Sequence, residues 1–198
     1  MLSEYKTTLS LKTIDDAEPL AKTILESTQA KLGFVPNMYY AMANSPGLLN
    51  TYTQGYSAFR EKSGFSSMEQ EVIFLAISQV NGCEYCMAAH SFLAKAASGV
   101  PSDVTAAIRD GKQVPEIQLS ALSVFARLMV TSRGLPSQSE VKAFLSADYS
   151  DEHILEIIHA IAIKTISNYT NHIFHTEVDT IFSPHQWTGK KPDIKSVA

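Results

Sequence analysis

The chain has 198 residues, 45% of them apolar, with two cysteines and a net charge of −4. That length supports a self-sufficient core without disulfide staples. With 16 Lys plus Arg against 20 Asp plus Glu and no basic run, it does not read as a nucleic-acid binder. The longest apolar stretches, such as Val72–Ile77 and Ala160–Ile163, are far short of a membrane span. Met1 to Lys12 has no apolar signal core, so a cytoplasmic location off the membrane is expected.

The 9 Gly and 8 Pro are few turn-formers for this length, and sustained strand-like alternation is absent, so the expected fold is all-α with about eight to ten helices. Asp15 to Lys31 reads as a first helix, stopped by Gly33. Val35-Pro36-Asn37 breaks the chain before a short helix from Met38 to Asn44. Ser45-Pro46 opens another over Gly47 to Glu61, ended by Gly64. Ser66 or Ser67, with Glu69 and Gln70 in reach, caps a helix whose body from Glu71 to Val80 is apolar nearly all round and therefore central. Asn81-Gly82 breaks it, and Cys83 to Ser98 restarts. Ser102 to Arg109, Ile117 to Ser132 and Ser139 to Ser146 follow. Glu152 to Thr165 repeats the apolar pattern, then comes Asn168 to Phe182, and the tail from Ser183 reads as an arm.

Two segments match at an offset of 85 residues. Glu71, Cys83, Cys86 and His90 pair with Glu156, Asn168, Asn171 and His175, and Ala58-Phe59 pairs with Ala143-Phe144. The matches suggest two related helical units in one domain, about 30–100 and about 115–182, with the thiols in the first alone.

Helical geometry at 100° per residue places Cys83, Cys86 and His90 within a 60° arc of one face. Following a Gly break, the cysteines fall in a first turn, where free N–H groups and the positive helix end favour a thiolate. A hairpin through Asn81-Gly82 would bring Glu71 back to the level of His90, giving a Glu–His–Cys relay. Core packing of the thiols and a zinc site are the competing readings, though zinc lacks a fourth soft ligand. A thioredoxin-type reading lacks the βαβ context it needs.

Glu71, Cys83, Cys86 and His90, with Ala88-Ala89-His90-Ser91, resemble the core motif of the carboxymuconolactone decarboxylase superfamily, in particular its AhpD-like alkylhydroperoxidase branch. Gly33-Phe34-Val35-Pro36-Asn37 and Ser45-Pro46 resemble the N-terminal motif of the peroxidase-related branch. The resemblance implies an AhpD-like fold, no cofactor, and a thiol peroxidase acting on a hydroperoxide with a dithiol reductant. It also implies that Cys86 is the peroxidatic thiol, Cys83 the resolving thiol, and His90 and Glu71 the proton relay, in a homo-oligomer, a trimer or hexamer. Tyr85 stands where the characterised alkylhydroperoxidase has a further histidine. Tyr85, Glu156 and His175 are candidate pocket residues. The alternatives are a decarboxylating enzyme on a small carboxylated lactone, working through His90 or His175, and a non-enzymatic redox-sensing or metal-binding module. The aromatic run Tyr39, Tyr40, Tyr52, Tyr56 and Phe59 reads as core or subunit interface.

Overall fold

A computed structural model describes residues 3–189. Among these residues the regular structure is nine α-helices and one 3₁₀ helix, with no strand. The helices are α1 Pro19–Leu32, α2 Asn37–Met42, α3 Pro46–Lys62, α4 Ser67–Asn81, α5 Glu84–Ala96, α6 Ser102–Arg109, α7 Ile117–Thr131, α8 Gln138–Leu145 and α9 Asp151–Phe174. The 3₁₀ helix is Thr180–His185. No helix among the described residues is long and apolar enough to cross a membrane.

The central helix is α4, as its composition demands. Val72 to Ile77 are all fully buried, and α4 packs against α5, α6, α7 and α9. Ser66 caps it through a reciprocal capping box with Glu69, and Ser137 and Ser150 build the same device at α8 and α9. Ser66→Ala is expected to cost about 1 kcal/mol. Thermal unfolding should show that as a fall in Tm of roughly 2–4 °C.

Gly82 ends α4 with φ of 69°, a left-handed conformation that L side chains adopt only with strain. The N–H groups of Gly82 and Cys83 then satisfy the carbonyls of Gln79 and Ser78. The chain reverses, and Cys83 becomes the residue just before α5. This tight hairpin positions the thiols.

Three expectations are corrected. The first helix starts at Pro19, because the proline ring suits a first-turn position and leaves Asp15 and Asp16 outside, where Asp16 caps Thr13. The two helices expected at Glu152–Thr165 and Asn168–Phe182 are one continuous helix, α9, that ends at Phe174. Residues 166 and 167, the counterparts of Asn81 and Gly82, are Ile166 and Ser167, so no glycine breaks it. The tail is docked as far as it is described. Phe182 and Trp187 are buried, and Arg109 donates to the carbonyls of His185 and Gln186. The remainder of that tail, with Lys190 and Lys191, lies outside the described residues.

Candidate active site at the α5–α9 interface

Cys86 and His90 lie one turn apart on α5, and Cys83 sits at its N-cap, three residues before Cys86. The face opposite belongs to α9, where Lys164, Ser167 and Asn171 follow one another at spacings of three and four residues. The two stripes meet antiparallel. The Asn171 Nδ2 group contacts Cys86 Sγ at 3.4 Å and Cys83 Sγ at 3.8 Å. Ser167 Oγ lies 3.8 Å from Cys86 Sγ. Lys164 Nζ donates to His90 Nε2 at 2.9 Å. Both cysteines are free thiols, buried in a small apolar cluster with Tyr85, Ala88 and Phe182.

Behind His90 stands Glu71, at the height the hairpin requires. Its Oε2 lies 2.8 Å from His90 Nδ1. An ammonium only donates, so His90 accepts at Nε2 and carries its proton at Nδ1, facing the carboxylate. Glu71 Oε1 takes a hydrogen bond from Arg60, whose guanidinium also reaches Tyr56 Oη at 2.7 Å and Gln70 Oε1 at 3.0 Å. Arg60 sits 4.9 Å over both the Tyr56 and Phe74 rings. The rings of Tyr52, Tyr56, Phe74 and His90 follow one another at 5.8, 5.6 and 4.8 Å. Tyr52 and Phe59 of the aromatic run lie in the core, with Tyr39, Tyr40 and Tyr56 packed against it, and Phe74 carries that stack onto the imidazole.

These contacts divide the two thiols electrostatically. Burial pushes the Cys86 thiol up, but the hydrogen bond from Cys83, the Lys164 charge, His90 and the Ser167 hydroxyl outweigh it and bring Cys86 well below the usual thiol range. Burial, then the bond to Cys86, holds Cys83 well above that range. Burial also lowers His90, with Lys164 adding to the effect. Burial raises Glu71, yet His90 and Arg60 more than offset it and keep the carboxyl below its ordinary value.

The remaining candidates separate. Tyr85 donates its hydroxyl to Asp179, which also accepts from the Asn37 N–H at 3.1 Å. It thus ties the segment after α9 across α5. Tyr85 and His175 line a cavity of about 230 Å³ with Cys83, Asn171, His172 and Val178. His175 holds a left-handed φ of 50° at the end of α9, and its Nε2 meets the Ser3 carbonyl at 2.8 Å. Glu156 lies outside that cavity and pairs with His159 on α9, so its match to Glu71 does not bring it to the site. Among the described residues, no group of three or more His, Cys, Asp or Glu side chains is arranged to hold a metal ion. His90 has both ring nitrogens engaged with Glu71 and Lys164 rather than turned to the thiols.

Sequence reasoning did not single out Lys164, Ser167 or Arg60. The available signal for the first two was that Lys164 and Ser167 lie seven and four residues before Asn171, at helical spacing. Arg60 gave no such signal, because it lies in the polar last turn of α3.

Residues 46–113 match the sequence profile of the carboxymuconolactone decarboxylase family. That span includes the α4–α5 hairpin and all four of Glu71, Cys83, Cys86 and His90. The matched span is about a third of the chain. No curated protein sequence matches this chain significantly. Among solved structures, it is similar to a peroxidase-related protein from Ralstonia eutropha JMP134 with an alkylhydroperoxidase AhpD core. The TM-score is 0.79 at 20% identity, covering 91% of this chain and 96% of that one. A peroxidase-related protein from Silicibacter sp. TM1040 gives 0.73 at 23% identity, covering 92% and 97%. The debrominase Bmp8, as a cysteine-to-alanine variant in complex with 2,3,4-tribromopyrrole, gives 0.73 at 18% identity, covering 98% of both chains. At such identities the likeness shows the fold, which is AhpD-like.

Proposed function

We propose that this protein is a thiol-dependent peroxidase of the carboxymuconolactone decarboxylase superfamily. The observation that carries the reading is the paired environment of Cys86 and Cys83. Buried Cys86 Sγ is met by Asn171 Nδ2 at 3.4 Å and Ser167 Oγ at 3.8 Å and is held below the ordinary thiol range, while Cys83 at its side is held above it. The Cys86 thiolate attacks the terminal oxygen of a hydroperoxide, the O–O bond breaks, and Cys86 becomes a sulfenic acid. The departing alkoxide takes a proton from the Glu71–His90–Lys164 chain or from water and leaves as an alcohol. Cys83 then attacks the sulfenic sulfur and expels water, which closes a Cys83–Cys86 disulfide. An external dithiol reopens it by thiol–disulfide exchange, and its first attack falls on Cys83, the thiol that lines the cavity.

A cavity of about 230 Å³ is below the usual 300–1,000 Å³ of ligand pockets, so small hydroperoxides, including hydrogen peroxide, are the proposed substrates. A homo-oligomer is also proposed. Leu155 and Ile158, one turn apart on α9, are 66% and 47% exposed and offer apolar surface for a subunit contact. The test is catalytic consumption of a small hydroperoxide with a dithiol donor. Turnover beyond one equivalent per chain is expected. Consumption no faster than a boiled control would overturn the reading.

A further inference from the structure

Lys164 is the feature that the four-residue relay leaves unexplained. It is 0% exposed, so its charge has been taken out of water. Such burial is costly unless an anion answers it. Yet the neighbour it bonds is His90, which burial and Lys164 itself favour as the neutral imidazole. The carboxylate beyond, Glu71, is already met by Arg60. Arg60, Glu71 and Lys164 therefore leave one positive charge over in the cluster. Asp179 does not answer it, being engaged with Tyr85 and the Asn37 N–H. Ser167, one turn along α9 from Lys164, touches Cys86 Sγ. Lys164 bonds His90, one turn along α5 from Cys86, so the lysine and the Cys86 sulfur lie between the same two facing stretches of α5 and α9.

The geometry points to Lys164 as the counter-cation of a Cys86 thiolate, with Glu71 and His90 acting as the strut that holds the lysine rather than as the base that takes the thiol proton. His90 fits the strut role, since both its nitrogens are occupied. The Phe74 ring, 5.4 Å from Lys164 Nζ, lines the remaining side. The ionisable groups facing Cys86 and Lys164 are Tyr52, Tyr56 and Arg60 from α3, Glu71 from α4, and Cys83, Tyr85 and His90 from α5, with Tyr39 of α2 behind Tyr52. Of these, Arg60 is the other cation, and it is committed to Glu71 and Tyr56.

Lys164 is thus a positioning and charge-supplying residue, and the inference rests on reading Cys86 as the reactive thiol. The experiment is site-resolved alkylation of the full chain with iodoacetamide across pH, with Cys86 followed by peptide mass. The wild-type midpoint should lie below the ordinary cysteine value of about 8.5. Lys164→Met should raise that midpoint by at least one pH unit, a tenfold loss of thiolate below it, and Lys164→Arg should return it toward wild type. An unchanged midpoint in folded Lys164→Met overturns the inference. Should that variant fail to fold by circular dichroism, Lys164→Gln makes the same comparison. The wild-type midpoint also decides alone, since a value at or above the ordinary one removes the anion that Lys164 is assigned to balance. Alkylation requires no peroxide. A protein inert to peroxide that still shows the Lys164-dependent midpoint would defeat the peroxidase reading and leave this inference standing.

Discussion

Cys86→Ser is expected to lower dithiol-dependent peroxide consumption by at least roughly 10³-fold, about 4 kcal/mol of barrier. A serine hydroxyl in this pocket is neither ionised near neutral pH nor oxidised by peroxide, so the first bond-forming step has no nucleophile. Cys83→Ser has a different signature. Its Cys86 still meets Asn171 and Ser167, so one equivalent of peroxide should be consumed before turnover stops at the sulfenic acid. Stopped-flow peroxide consumption separates the two. Equal steady-state rates for wild type and Cys86→Ser would remove Cys86 from the chemistry.

The largest stability effect is expected at Glu71. This carboxylate is 1% exposed and is gripped from one side by Arg60 and from the other by His90. Glu71→Gln keeps the shape and removes the charge, which leaves a largely buried guanidinium unbalanced. Breaking a buried pair in this way costs about 3–5 kcal/mol, and the partial exposure of Arg60 argues for the lower end. At roughly 2–4 °C per kcal/mol for a chain of this size, Tm should fall by about 6–12 °C. The pH dependence supplies a second check. The folded Glu71 carboxyl titrates below its unfolded value of about 4.3, so its stabilisation is complete above that pH. It is lost as pH falls through the folded value. Wild type should therefore lose stability in acid more steeply than Glu71→Gln, and the two denaturation curves should converge at low pH.

The hairpin that builds the site is legible in the sequence because its determinants are local. An all-apolar helix, an Asn-Gly break and a Cys-x2-Cys-x3-His spacing are enough to place Glu71 against His90, and the structure puts them 2.8 Å apart. The partner helix is less legible. Asn171 is flagged by its match to Cys86, and the two do touch, but Lys164 and Ser167 reach the site through packing that joins residues about 80 positions apart. No local pattern fixes such a contact. A single lysine in an apolar helix carries weight only once the helix is known to be buried on that face.

The duplicated spacing also shows where pattern reading stops. The same polar series follows a glycine break in one copy and lies on an unbroken helix in the other, so His175 comes to the rim of the cavity while Glu156 stays with His159. Tyr85 is a further case. It lines the cavity with Cys83, and no local pattern foretells that its hydroxyl is donated to Asp179 and so ties the segment after α9 across α5.

The central claim is that Cys86 and Cys83 form one redox unit. It is tested most directly by the intact mass of the fully reduced chain before and after one equivalent of a small hydroperoxide, with peptide mapping. The account predicts loss of the mass of two hydrogens and a Cys83–Cys86 linked peptide, reversed by dithiol. Thiols that stay free while the peroxide persists, or oxygen added to Cys83 alone, would contradict it.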